Sequence, residues 1–173
     1  MLAQVRQAVA EAGSAILEIY ADPARFETEL KNDDSPLTAA DKAANEILVK
    51  ALESLTPDIP VLSEESAQAP WATRKHWDRC WVVDPLDGTK EFLKRNDEFT
   101  VNVALVEQHH PVLGVVYAPA LDRWFFAARG QGAWRQDGGR DPVAIHVGEK
   151  IADRPWQVQG ARSHSTPAVD AFV

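Results

Sequence analysis

Trp81-Val82-Val83-Asp84-Pro85-Leu86-Asp87-Gly88-Thr89 is the stretch on which the reading of this chain turns. The apolar run from Cys80 to Val83 reads as a short strand, and it ends in two carboxylates three residues apart. At a strand exit, Asp84 and Asp87 can converge on one small region. Pro85 stiffens the turn between them, and the Leu86 carbonyl lies in the same arc. Hard oxygen donors grouped in this way suit Mg²⁺, which takes near-octahedral oxygen ligands and usually keeps waters and substrate phosphates in its shell. Gly88 permits close backbone approach. The N–H groups of Gly88 and Thr89 then open a helix running into Lys90-Glu91-Phe92-Leu93, a natural place for an anion. A bare Asp-x-x-Asp-Gly is ordinary turn chemistry, but the full hexapeptide after a strand is far more specific. A metal ligand set thus stands beside a phosphate cradle.

Upstream, Val61-Leu62 reads as a brief strand delivering Ser63-Glu64-Glu65-Ser66 at its end. Adjacent glutamates in a loop are usually just solvated; Glu64 or Glu65 joins the metal cluster only if the two strand ends lie side by side. Further back, Thr38 suits a helix N-cap with Asp41 three residues on, a capping-box variant. Capping alone accounts for Asp41, and a second role requires that the backbone leave part of its carboxylate unused. Ala40, Ala44, Ile47, Leu48, Ala51 and Leu55 supply that helix's buried stripe. The first twenty residues form another amphipathic helix, with Leu2, Val5, Val9, Ala12, Ile16 and Ile19 on one face and a stop at Asp22-Pro23. Phe26 to Leu30 suits a short strand, 31–36 a polar turn, and 67–79 a surface loop.

Downstream the chain is β-rich. Phe99, Val101, Val103 and Leu105 alternate with Thr100, Asn102 and Ala104, the period of a strand covered on one face. Strands over Val112–Tyr117 and Arg123–Ala127 follow, and glycines at 130, 132, 138 and 139 punctuate hairpins. Trp156 to Gly160 suits one more strand. Thr166-Pro167 opens a helix with only about seven residues left, short of the ~12 needed for marginal independent stability. With Val169, Phe172 and Val173 unmatched, the chain is expected to be truncated.

The 173 residues suffice for one domain with a real core, or one domain plus part of another. A net charge of −8 argues against a nucleic-acid polymer as partner. It also requires that a small anionic ligand be received through metal cations or local donors. No apolar run is long enough for a transmembrane segment. The single cysteine, Cys80, forms no internal disulfide, which fits a reducing cytosol, and it reads as a packing residue. The five histidines show no metal-ligand spacing.

Leu62–Ser66 and Trp81–Phe92 together closely resemble the inositol-monophosphatase superfamily, and Lys90–Asn96 with Glu98–Leu105 resembles its CysQ-type 3′(2′),5′-bisphosphate nucleotidase subgroup. Leu37–Asp41, Gly114–Pro119 and Arg162-Ser163-His164 extend the match over nearly the whole chain. The resemblance implies an α+β fold, the layered α/β sandwich of the sugar phosphatases. It divides the chain into an N-terminal metal-binding domain, 1–150, and the start of a truncated C-terminal α/β domain, 151–173. It implies Mg²⁺ on Glu64, Asp84, Asp87 and the Leu86 carbonyl. Asp41 and Thr89, assisted by Glu64, would activate water, while Glu64, Asp87, Gly88, Thr89 and Lys90 would meet the substrate. The implied reaction is hydrolysis of the 3′-phosphate of adenosine 3′,5′-bisphosphate, a by-product of sulfate assimilation, to AMP and phosphate. The alternatives are an inositol or sugar monophosphatase and a non-catalytic metal-binding fragment. The expected location is the cytoplasm, with a peripheral place at the inner membrane as a variant, and the oligomeric state stays open. The family's C-terminal Trp-Asp-x-x-Ala motif, whose aspartate completes the metal site, is missing, so the 173-residue chain is expected to be weakly active or inactive.

Overall fold

A computed structural model describes residues 1–26, 28–30, 36–148 and 171. Helix α1 (Leu2–Tyr20) buries Val5, Ala8, Val9, Ala12, Ile16 and Ile19, the face its spacing predicts, and gives way to a 3₁₀ turn at Pro23–Arg25 capped by the Asp22 side chain. Strand β1 (Glu29–Leu30) pairs antiparallel with β2 (Pro36–Leu37). The expected strand from Phe26 shrinks to β1 because the Phe26 N–H closes the 3₁₀ turn on the Pro23 carbonyl. Of the polar turn expected at 31–36, residues 31–35 lie outside the described residues, and Pro36 instead opens β2.

Helix α2 (Ala39–Leu55) starts at Thr38 with both capping-box bonds formed. Its buried line runs Ala40, Asp41, Ala44, Leu48, Leu52. Leu52 thus belongs to the core, whereas Ile47, Ala51 and Leu55 are only partly buried against it. The line follows i+4 steps from Ala44, slightly rotated from the predicted stripe.

Strands β3 (Val61–Ser63), β4 (Arg79–Asp87), β5 (Thr100–Glu107), β6 (His110–Ala118), β7 (Arg123–Ala128), β8 (Gly132–Asp137) and β9 (Val143–Ile145) form one sheet in sequence order. Every pair is antiparallel except β3 with β4, which is parallel. Antiparallel neighbours can be joined by short turns, as at Gln108-His109, both at positive φ, and at the glycines 130, 132 and 138, whereas the parallel pair needs a longer crossover. That crossover contains α3 (Trp71–Arg74), a single helical turn in the segment read as loop. Four residues are too few to display a helical period, and the turn is anchored by Arg74 donating through Nε to the Ala69 carbonyl at 2.8 Å.

Helices α1 and α2 cover one face of the sheet. Against them pack Trp81 and Val83 of β4, Val101, Val103 and Leu105 of β5, Val115 of β6 and Phe126 of β7. Burying each such aliphatic or aromatic side chain is worth about 1.5–3 kcal/mol. Trp81 satisfies its indole N–H on Thr56 Oγ1 at 2.8 Å. The arrangement is the layered α+β fold expected, and among the described residues no helix is long and apolar enough to cross a membrane. The strand expected at Trp156–Gly160, the helix after Thr166, the Arg162–His164 match and the division at 150 fall on 149–170 and the last residues, outside those described.

Candidate metal and phosphate site

The parallel pairing of β3 and β4 puts Ser63 opposite Val83. Glu64 extends the ladder by donating its N–H to the Val83 carbonyl at 3.0 Å. Glu64 and Asp84 therefore leave neighbouring strand ends, the condition on which the glutamate's role depended. On the other side β4 pairs with β5, but the register slips between Asp84 opposite Asn102 and Asp87 opposite Thr100. This places one extra residue in β4, a bulge. Pro85, lacking an N–H, interrupts the ladder there. Beyond the bulge Leu86 buries its side chain.

Gly88 follows with φ of +95°, and a Cβ on it would stand 2.9 Å from the Glu98 carbonyl oxygen, so only glycine fits without strain. Helix α4 (Thr89–Lys94) begins at once. At six residues it has little macrodipole, so the phosphate cradle expected here depends on the first-turn backbone and the Thr89 hydroxyl. That hydroxyl lies 3.2 Å from Asp41 Oδ1 and 3.3 Å from the Leu86 carbonyl, either of which accepts its proton. Lys90 stands exposed on the same first turn.

Asp41 is fully buried, and its two oxygens have different partners. Oδ2 accepts the cap from the Thr38 N–H at 2.8 Å and the Thr38 hydroxyl at 2.5 Å. Oδ1 faces Thr89. Burial pushes its pKa up, against the opposing hydrogen bonds from Thr38 and Thr89. Asp84 is pushed up to about 7, first by burial and then by the charges of Glu64 and Asp87, with the Leu86 backbone hydrogen bond opposing. Its Oδ1 is buried with no hydrogen-bond partner. A half-buried carboxylate with one oxygen sealed from water and two other carboxylates near it favours a proton or a cation. The donors are all hard oxygens, the type Mg²⁺ takes, and Mg²⁺ needs only one or two carboxylates because it keeps several waters rather than an all-protein cage. Among the described residues, however, no three His, Cys, Asp or Glu side chains are grouped tightly enough to hold a metal ion. Glu64, Asp84 and Asp87 are thus brought within reach of one another's charge without forming a closed cage.

Two asparagines belong to this region and were not singled out from the sequence. Asn45, one turn beyond Asp41 on α2, accepts from Ser63 Oγ at 2.6 Å and donates to Ser66 Oγ at 3.2 Å, tying down the turn that carries Glu64. Its signal was a polar residue four positions after Asp41 on a helix. Asn102 donates to Asp87 Oδ2 at 3.2 Å; as one more polar residue on an alternating strand it carried no local signal. An open trough of about 430 Å³ runs from Ser63, Glu64, Asp84 and Asn102 onto the apolar Val82 and Val116. Cys80 is half-buried with its thiol pushed up by burial, as a packing residue should be.

The model of the "Inositol monophosphatase family" matches residues 1–169. The chain is 57% identical over its whole length to "3′(2′),5′-bisphosphate nucleotidase CysQ" of Salmonella typhimurium, covering 68% of that protein. It is 51% identical to the protein of the same name from Escherichia coli K12, again covering 68%. Among solved structures, CysQ from Bacteroides thetaiotaomicron superposes with a TM-score of 0.74 at 38% identity, covering 99% of this chain and 66% of that one. The extragenic suppressor protein suhB from Bartonella henselae gives 0.70 at 33% identity, covering 78% of this chain and 51% of that one. The chain thus spans between half and about two thirds of the length of these solved relatives. With a family match over nearly every residue and the same fold, this chain belongs to the inositol monophosphatase family.

Proposed function

We infer that the chain is the metal-binding part of a Mg²⁺-dependent phosphomonoesterase that hydrolyses the 3′-phosphate of adenosine 3′,5′-bisphosphate to AMP and phosphate. The observation that carries this reading is the junction at Thr89, whose hydroxyl lies between buried Asp41 and the Leu86 carbonyl, two residues after the bulge that begins at Asp84 with its partnerless Oδ1. Glu64, Asp84, Asp87 and the Leu86 carbonyl would hold Mg²⁺. The cation, when bound, supplies charge neutralisation and an acidified water. Asp41 Oδ1 accepts from the Thr89 hydroxyl, so Thr89 would pass its proton to the Asp41 carboxylate as its oxygen takes one from the water aimed at the phosphorus. Gly88 lets the backbone approach the phosphate closely, and Lys90 adds a positive charge at the same turn. The bisphosphate is favoured over an inositol or sugar phosphate by Lys90-Glu91 after Gly88-Thr89, and by relatives named 3′(2′),5′-bisphosphate nucleotidase. Residues 1–150 make the metal-binding domain, consistent with the sheet's last strand ending at Ile145, and 151–173 begin the next. A cytoplasmic location agrees with the lone, unbridged Cys80.

The test is phosphate release from adenosine 3′,5′-bisphosphate and from inositol 1-phosphate, with and without Mg²⁺. It is run on this chain and on a version carrying the rest of the length its relatives have. Mg²⁺-dependent release selective for the bisphosphate in the longer version is expected, with Asp87→Asn lowering it by roughly 10³-fold or more while far-UV circular dichroism stays unchanged. Preference for inositol 1-phosphate, or full turnover by Asp87→Asn, defeats the assignment.

A further inference from the structure

Asp84 and Asn102 face each other across the β4–β5 ladder, on the last regular pair before the bulge. Each has its side-chain Oδ1 buried and without a hydrogen-bond partner. Buried polar atoms are nearly always satisfied, so two orphaned acceptors on paired residues need a physical account. Neither oxygen carries a proton for the other when Asp84 is ionised, so the pair lacks a donor. Both residues line the same trough as Glu64 and Ser63. The other end of the Asn102 carboxamide is already committed, with Nδ2 donating to Asp87 Oδ2 at 3.2 Å. One side chain therefore grips the second aspartate and points an acceptor toward the space beside the first.

We propose that Asn102 is a positioning residue of the cation site, with its amide holding Asp87 in its ligating orientation and its oxygen, together with Asp84 Oδ1, accepting from a water in the cation's shell. This rests on the cation site inferred above. Shell waters are strong donors because the ion polarises them, and one water can bridge two acceptors. Outer-shell partners of metal ligands typically change metal affinity by 10–100-fold when removed. A purely structural asparagine behaves otherwise: its loss weakens the apo fold and leaves the ion alone.

The experiment is calorimetric titration of Mg²⁺ into the 173-residue chain, Asn102→Leu, Asn102→Ala and Asp87→Asn, with urea unfolding of each in EDTA. Leucine keeps the branched shape and heavy-atom count of the carboxamide, and alanine preserves the measurement should the bulkier methyl branch not seat. The expected result is Mg²⁺ affinity lowered by about 10–100-fold in both Asn102 variants. Their urea midpoints in EDTA should be no lower than the parent's for Asn102→Leu, since an orphaned acceptor is gone. Unchanged Mg²⁺ affinity in both Asn102 variants, with binding lost in Asp87→Asn, overturns the role of Asn102 and leaves the cation site standing. Equal titration of the parent and Asp87→Asn overturns the cation site itself and the proposal with it.

Discussion

Replacing Gly88 by alanine tests the geometry on which the site depends. The residue sits at φ +95°, in the left-handed half of backbone space, where an L-residue costs about 1–2 kcal/mol. The added Cβ would also stand 2.9 Å from the Glu98 carbonyl oxygen and 3.3 Å from the Phe99 Cα. Both are backbone atoms, so relief requires moving the chain rather than rotating a side chain. Overpacking of that kind costs about 1–3 kcal/mol. Together the two effects amount to about 2–5 kcal/mol, a large share of the ~5–15 kcal/mol typical of a folded protein. For a chain of this length that lowers Tm by roughly 5–20 °C. Urea unfolding followed by tryptophan fluorescence reads it directly. Gly114→Ala is the control, because nothing lies within 4 Å of its Cβ position, and it should be neutral or stabilise by up to about 1 kcal/mol. Because Thr89 follows immediately, a displacement of about 1 Å at Gly88 should also cost turnover about 10²-fold. A Gly88→Ala protein within about 0.5 kcal/mol of the parent would refute both the positive φ and the close approach of Glu98, for surface substitutions lie in that range.

Asp84, raised to about 7 in the fold against ~3.9 when unfolded, holds its proton more tightly in the folded chain, so its own contribution to apo stability is fully present below pH ~4 and is lost as pH rises through 7. The gross effect of about 4 kcal/mol is roughly halved by partial exposure, so Asp84→Asn should stabilise the metal-free chain by about 2 kcal/mol at pH 8 and hardly at pH 4, read by urea midpoints at both. Asp137, held below the usual carboxylate range by Arg123 and Arg135, contributes the opposite slope. Its stabilisation is present above pH ~4 and disappears as pH falls through the lowered value, so Asp137→Asn should flatten the acid side of the stability profile measured from pH 2 to 5. Tyr20 donates to Asp97 Oδ1 at 2.8 Å while its ring packs on Phe92 and Phe99. Tyr20→Phe keeps the packing and should lose about 0.5–1.5 kcal/mol in urea unfolding, and no loss would show that the hydroxyl bond is not formed.

Local features were legible from short stretches. Thr38 and Asp41 announced a helix start because a cap is decided within four residues. The alternation from Phe99 to Leu105 announced a half-covered strand, and Asp84 to Thr89 announced a turn, a glycine permitting close backbone approach and a helix beginning. What happened between Trp71 and Arg74 did not show, since one helical turn leaves no period to detect. The pairing partners did not show either. Nothing in Val61-Leu62-Ser63 specifies that it lies parallel to Trp81–Val83, yet that pairing sets Glu64 beside Asp84. The bulge after Asp84, the grip of Asn102 on Asp87, and Asn45 holding the turn after β3 depend in the same way on register. That Asp41 has an oxygen to spare beyond the cap became visible only once Thr89, 48 residues away, was seen to face it. Backbone conformation is settled by neighbours along the chain, so the sequence by itself determined the elements and the kinds of donor they carry. Which donors meet is settled by long-range pairing and the burial it produces, and only the tertiary structure decided that.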